Sequence, residues 1–294
     1  MDRMKTPNVL TETLSKLSVP QDRVLYVHSS MNWLTRAGIS LREAVDALID
    51  WTQAAGGTLV FPAFPFRGSH EAYLRSKPTF DVRRTPARVG LLNETVRRRH
   101  GVKRSLDPDL SVIALGPQAD AVVSTRLTGK DPTGPDSPFQ RIIELGGALA
   151  GLGVSLNYMN MIHVLDSRYR ARYPFDIYSP SIYAADAIDA AGCRHTVAKH
   201  AMLNELQLHI KPSLVIHMLR PARDTFRSLK VGETDFFVWD LPSWERLCVA
   251  HAEQMLDGGG FPCWLSEVAQ RVAWKASAAG TGRAGARPLA GSRR

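Results

Sequence analysis

The residue types that could move protons lie between Gly146 and Tyr169, in the stretch GGALAGLGVSLNYMNMIHVLDSRY. An apolar run ends at Gly151 and Gly153, polar residues follow, and a short helical pattern then carries His163 and Asp166. Residues three apart share a helix face, so the carboxylate can orient the imidazole and leave it a general base working near neutral pH. A strand running through Gly-x-Gly into a helix is where open α/β sheets place chemistry, and glycine lets backbone approach a ligand closely. Spacing alone does not separate this reading from a satisfied, half-buried pair in a Met- and Leu-rich helix.

The elements that must position this stretch read as alternating strands and helices. Residues 1–20 have the pattern of an amphipathic helix. Arg23 to Ser30, RVLYVHSS, is rich in β-branched and aromatic residues and reads as a buried strand, which puts two serines at its C-terminal end. Ser40 and Glu43 have the spacing of a capping box, and Leu41, Val45, Leu48 and Ile49 continue the helix to about Ala54. Thr58 to Phe64 is the next strand, after a crossover long enough for parallel pairing.

Phe66 to Arg84 has no period and is read as a surface loop. Thr85-Pro86 has the form of a cap followed by proline at the first helical position, and the helix it opens ends at Arg97-Arg98-Arg99, solvated cations that complement its dipole. Leu110 to Gly116 is a strand, Pro117 starts a helix, Ser137-Pro138 caps another, and Ala148 to Leu152 is the strand that feeds the opening stretch. Beyond Arg172 the pattern weakens. Irregular strands are expected around residues 177–183 and 193–198, strands at Leu214–Leu219 and Glu233–Trp239, and a last helix from about Trp244 to Leu256.

A length of 294 residues, 44% of them hydrophobic and 22% charged, suits a soluble globular protein with a substantial core. No apolar run is long enough for a bilayer and the N-terminal stretch lacks a signal-peptide core, so a cytoplasmic location without membrane contact is expected. Three unevenly spaced cysteines suggest reduced thiols, not a disulfide framework or a zinc knuckle. The net charge of +9 is concentrated: Arg271, Lys275, Arg283, Arg287, Arg293 and Arg294 supply 6 of it with no acidic residue between them. That divides the chain into a single α/β domain over residues 1–270 and a basic, disordered tail over 271–294. The remaining body suits a polyanionic small cofactor as well as a nucleic acid, and nucleic-acid binding ranks last among the readings.

There is no Gly-x-Ser-x-Gly elbow, no phosphate loop and no His-Glu-x-x-His, and the histidines lack ligand spacing, so no metal is expected. The motifs that remain come in a specific order: Val27-His28-Ser29-Ser30, Gly57-Thr58-Leu59-Val60-Phe61-Pro62, Phe80-Asp81 with Thr85-Pro86, Gly90 and Glu94, Arg104-Ser105, Ser111 before Ala114-Leu115-Gly116, Gly134 with Ser137-Pro138, and His163. In that order the chain resembles the aminoglycoside 3-N-acetyltransferase family, over about Val24 to Arg168.

The resemblance implies a three-layer α/β/α sandwich with a largely parallel or mixed central sheet, unlike the common GNAT-type acetyltransferases. It implies transfer of an acetyl group from acetyl-CoA to the amine of an aminoglycoside or related aminocyclitol or amino sugar. His163 is then the base and Asp166 its partner. Ser29, Ser30, Thr85, Arg104, Ser105 and Ser111 are expected around the cofactor, and Asp107 and Asn160 around the acceptor. The hydroxyls of Thr85 and the serines have a duller alternative, capping a helix or bonding local backbone. Two positions depart from the family pattern, Asp107 in place of the usual His and Asp166 in place of the usual Glu. Asp107, Asp109, Asp131 and Asp136 could form an acidic groove for a polycation. An acetyltransferase of polysaccharide or natural-product assembly and a catalytically silent CoA-binding relative stay open as alternatives, as does homodimerisation.

Overall fold

The computed structural model describes residues 9–278 except Arg126, Arg220, Pro221 and Arg223. Among these residues the strands are β1 (Val24–Ser29), β2 (Thr58–Pro62), β3 (Thr79–Asp81), β4 (Lys103–Arg104), β5 (Val112–Leu115), β6 (Ala148–Leu152), β7 (Tyr178–Ile188), β8 (Arg194–Met202), β9 (Phe226–Val231) and β10 (Thr234–Asp240). Seven of them form a central sheet in the order β4-β5-β2-β1-β6-β10-β9, and β3-β7-β8 form a second, smaller one. Both β2 and β6 run parallel to β1, whereas β5 and β10 run antiparallel to their neighbours, so the central sheet is mixed.

The helices are α1 (Val9–Lys16), α2 (Met31–Arg36), α3 (Leu41–Gln53), α4 (His70–Arg75), α5 (Leu91–Arg97), α6 (Ala119–Val123), α7 (Pro138–Glu144), α8 (Ile162–Tyr169), α9 (Asn204–His209), α10 (Ile216–Leu219), α11 (Leu241–Asp257) and α12 (Ser266–Ala278). Side chains of a strand alternate between faces, and β1 divides its apolar residues accordingly. Leu25 and Val27 join a core with Leu10 of α1, Leu34 of α2, Val45 and Leu48 of α3 and Leu92 of α5. Val24 and Tyr26 join the opposite core with Ile142 of α7, Leu165 of α8 and Trp244 of α11. Helices therefore cover both faces, giving three layers.

Local signals hold where the sequence carried its own capping chemistry. Ser40 Oγ accepts from the Glu43 amide while Glu43 accepts from the Ser40 amide, the reciprocal box that starts α3. Ser137 Oγ accepts from the Gln140 amide and Pro138 takes the first position of α7.

Several expectations are corrected. Residues 66–84 are not a plain loop, because Ser69 caps α4 and β3 pairs with β7. Thr85 opens no helix: its hydroxyl accepts from the Asp81 amide in a turn, and α5 starts only after Gly90. The arginines at the end of α5 are not merely solvated, since Arg97 and Arg98 close on Glu94 and Arg99 on Asp46. Burial pushes the Glu94 carboxyl up, but the Arg97, Ala87 amide and Arg98 hydrogen bonds outweigh it and hold the group at about 2.

Residues 214–219 are helical, not a strand; a short apolar run has no period that separates the two. The irregular strands expected after Arg172 are one long hairpin, β7 and β8. Helix α12 takes in residues 271–278, which were expected to be disordered tail. The expected N-terminal helix is met by α1, with residues 1–8 outside the described part, and 279–294 of the expected tail lie outside it too.

Candidate functional site

The chain leaves β1 to pair it with β2 on one side and later returns to pair it with β6 on the other. The C-terminal ends of β1 and β6 are therefore a topological switch point, where the crossovers part and leave a crevice. A cavity of about 660 Å³ opens there, with His28, Ser29, Asn93 and Asn160 on its walls and Arg67 and Arg88 beside them. No carboxylate is among the described residues that line it.

Asn160 connects this cavity to the strand floor and to α8. Its Oδ1 accepts from the Tyr26 hydroxyl and from His28 Nε2, each at 3.1 Å, and its backbone carbonyl accepts from the His163 amide at 3.1 Å. Burial pushes the His28 imidazole down to about 4, against the smaller upward pull of Asn160. His28 is thus neutral near pH 7, and the Asn160 carbonyl selects the tautomer with hydrogen on Nε2.

One turn further on, His163 Nδ1 donates to Asp166 Oδ2 at 2.9 Å, and Trp264 Nε1 donates to Asp166 Oδ1 at 3.1 Å. Both oxygens of the fully buried carboxylate are therefore in use, which fixes its plane and the ring that leans on it. Thr133 Oγ1 donates to the His163 carbonyl at 2.8 Å and pins the same turn. The ring keeps 11% exposure, and its Nε2 has no hydrogen bond among the described residues. His163 itself is not in the cavity wall; Asn160, one turn earlier, is.

The sequence model of the family described as aminoglycoside 3-N-acetyltransferase matches residues 26–242. The chain belongs to this family. Aminoglycoside N(3)-acetyltransferase III of Salmonella sp is 29% identical over 176 residues, which are 56% of this chain and 61% of that relative. The chain thus spans about three-fifths of the length of the curated relatives of this type that it matches. Among solved structures, AAC-IIIb in a binary complex with CoASH is 20% identical with a TM-score of 0.63, covering 84% of this chain and 97% of that one. AAC-VIa bound to sisomicin is 23% identical with a TM-score of 0.62, covering 82% and 96%. The fold is that of these acetyltransferases and not the GNAT type.

The residues that the family pattern singled out divide into two groups. Ser29 and Asn160 lie on the cavity wall with His28. The others meet protein partners. Ser30 Oγ accepts from the Asn32 amide and caps α2, and Ser105 Oγ accepts from the Val112 amide. Arg104 donates to Ser111 Oγ and to the carbonyls of Thr85 and Ala63, and it lies 4.5 Å over the Phe80 ring. Burial, helped by Arg97, lowers its guanidinium to about 9. Ser111 Oγ donates to the Ala63 carbonyl at 2.8 Å.

Asp107 and Asp109 do not line an acidic groove. They are buried around Lys199, whose Nζ is 3.3 Å from Asp107 Oδ1 and 3.8 Å from Asp109 Oδ1. Burial pushes the Asp107 carboxyl up against the pull of Lys199, while Lys199 and His70 overcome burial at Asp109 and hold it well below the usual carboxylate range. Asp131 is paired with Arg170, and Asp136 too has a partner.

Nor do the glycines of the Gly-x-Gly element make room for a ligand. A Cβ on Gly151 would meet the Phe237 ring at 2.0 Å, and one on Gly153, at φ +68°, the Trp33 ring at 2.2 Å. They admit protein side chains, which brings β10 and α2 against the end of β6.

Sequence reasoning missed Trp264, His28 and Lys199 as partners of the site and its surroundings. Trp264 is 98 residues from Asp166, and Lys199 is 92 from Asp107, so no local spacing could pair them. His28 had a signal, since it sits in the Val27-His28-Ser29-Ser30 element beside the serines that were read.

Proposed function

We propose that this chain transfers the acetyl group of acetyl-CoA to an amine of an aminoglycoside or a related aminocyclitol or amino sugar, with His163 as the general base. The observation that carries the reading is the His163–Asp166–Trp264 relay, which leaves Nε2 open one helical turn from a residue of the switch-point cavity. Family membership and the names of the relatives support the reaction class.

Acetyl-CoA supplies an activated acyl group. The cavity suits such a ligand: its charged lining is Arg67 and Arg88, and its size is within the ordinary range for a bound cofactor. Ser29, Asn93 and Asn160 offer polar groups for amides. His163 Nε2 takes the proton that the attacking nitrogen sheds and can return it to the departing sulfur, so protons balance over the turnover. Asp166 stabilises the imidazolium formed in between. With Asp107 and Asp109 spent on Lys199, an acceptor with fewer positive charges than a full aminoglycoside is the favoured second reading.

The test is release of CoA thiol by the full chain from acetyl-CoA with aminoglycosides, simple amino sugars and nucleotide-linked amino sugars. Amine-dependent release is expected with at least one class. Absence of release across the panel, with His163→Ala indistinguishable from the parent, would reduce the chain to a ligand-binding relative.

A further inference from the structure

The carboxylate that orients His163 is itself held from the C-terminal end of the described chain. Trp264 is fully buried; its Nε1 donates to Asp166 Oδ1 at 3.1 Å, while Asp166 Oδ2 accepts from His163 Nδ1 at 2.9 Å. An indole that acts through one hydrogen bond at its edge is only as well placed as the backbone that carries it. That backbone is the 3-10 turn Cys263–Leu265, between α11 and α12.

Three consecutive residues show what holds the turn. The Leu265 amide donates to the Pro262 carbonyl at 2.9 Å, and the Trp264 carbonyl accepts from the Lys211 amide at 3.0 Å. The Cys263 amide donates to His251 Nε2 at 3.1 Å. Among the described residues, this third bond is the one in which a side chain holds the backbone of the turn.

His251 reaches the turn from α11. Trp244, Cys248 and Ala252 are the buried face of that helix, and position 251, three after Cys248, borders the same face. Its ring centroid lies 6.0 Å from that of Trp264. A ring nitrogen that accepts a hydrogen bond carries no proton, so the hydrogen is on Nδ1 and the imidazole is neutral. Burial favours that form by lowering the group below its ordinary value.

The geometry points to His251 as a positioning residue for the base: it holds the Cys263 amide, and through the Trp264 indole and the Asp166 carboxylate it fixes the His163 ring. The first three members of this chain of contacts lie after residue 242, outside the stretch that the family model matches. Exposed ion pairs also join the α8 region to α11, Arg168 with Glu245 and Arg172 with Glu253 and Asp257, but water screens them and they contribute little. The catalytic consequence rests on the acetyl-transfer reading; the positioning of the ring does not.

The experiment uses the full chain in two arms. Glutamine brings its amide oxygen near the place of Nε2, whereas the shorter asparagine reaches only the level of Nδ1. His251→Gln should therefore keep the acceptor, and His251→Asn and His251→Ala should lose it. In the first arm, NMR of the nitrogen-15-labelled chain without ligand follows the Trp264 indole N–H, assigned with Trp264→Phe, and the His163 ring nitrogens, assigned with His163→Gln. The Asn and Ala variants should move both sets of signals; His251→Gln and the surface control Arg172→Gln should leave both at their parent positions. In the second arm, CoA-release kinetics should show the Asn and Ala variants lowering kcat about 10-fold or more, the scale of a misaligned group, with the KM for each substrate little changed. His251→Gln should stay close to the parent.

Equal behaviour of His251→Gln and His251→Asn overturns the inference. So does a Trp264 signal that moves while those of His163 stay, or a His251→Ala variant whose lowered urea midpoint comes with parental signals and kcat per folded molecule. Should the Ala variant fail to fold, the Gln and Asn variants, alike in polarity and different in reach, carry the test. If the parent releases no CoA with any amine, the acetyl-transfer reading fails, and the NMR arm alone decides whether His251 positions the His163 ring.

Discussion

Two of the histidine–carboxylate pairs among the described residues, His70–Asp109 and His163–Asp166, are built from the same groups and end in different surroundings. His70 lies 3.2 Å from Asp109 through Nε2, and its Nδ1 accepts from the Met202 amide at 3.2 Å; both side chains are sealed from solvent. His163 spends Nδ1 on Asp166, keeps 11% side-chain exposure, and has no hydrogen bond at Nε2 among the described residues. The first pair fastens α4 to the end of β8 and to the chain before β5. The second holds a ring in one orientation with its other nitrogen without a hydrogen bond among the described residues. The difference lies in where the second ring nitrogen goes, and the distance within each pair does not reveal it.

The comparison breaks most directly at the two rings. His163→Gln should cut acetyl transfer by about 10²- to 10⁴-fold with the urea midpoint little changed. His70→Gln should lower the midpoint and leave the rate per folded molecule near that of the parent. Equal loss of rate in both variants would end the distinction.

Next in size is the fastening itself. Lys199→Met leaves Asp107 and Asp109 facing one another without their cation, and breaking a buried pair in this way costs about 3–5 kcal/mol. Urea unfolding measures it; a loss within ordinary surface scatter would mean that water reaches the cluster.

A smaller effect sharpens the catalytic side. Asp166→Asn keeps the shape and the Trp264 contact but weakens the hold on Nδ1–H, and a rate loss of about 10–100-fold is expected. An unchanged kcat would make Asp166 a fastening like Asp109.

The smallest concerns a third imidazole, His28, which lies between the two extremes with one nitrogen on Asn160 and a place in the cavity wall. Its folded value of about 4 is below the ordinary 6.5, so between those limits the unfolded chain binds more protons than the native one. Stability from this group is full above pH 6.5 and is lost as the pH falls towards 4. His28→Gln should flatten thermal melts across that window, and an unaltered slope would assign the acid limb to other groups, such as Glu94 lower on the scale.

What was legible in the sequence was whatever depends on neighbours along the chain. The Ser40 box, the Ser137-Pro138 start of α7, the apolar strands β1, β2 and β6 and the three-residue spacing of His163 and Asp166 are all set by local backbone geometry, and each could be read before any packing was known. Thr85-Pro86 shows the limit of that logic. The same two residues serve a turn here because Asp81 and Arg104 claim Thr85, and neither claim is visible in the local pattern.

The tertiary structure decided which polar groups were left over for chemistry. Arg104, Ser105 and Ser111 looked alike to Ser29 as ligand donors, yet packing directed the first three to backbone partners and left Ser29 on an open wall. Asp107 looked like a groove residue until β8 delivered Lys199 to it. A buried polar group must find a partner or incur the cost of desolvation, and its partner can come from any part of the chain. Local sequence therefore determines which elements form and which residues could act, while the fold, by pairing most of them off, determines the few that remain free.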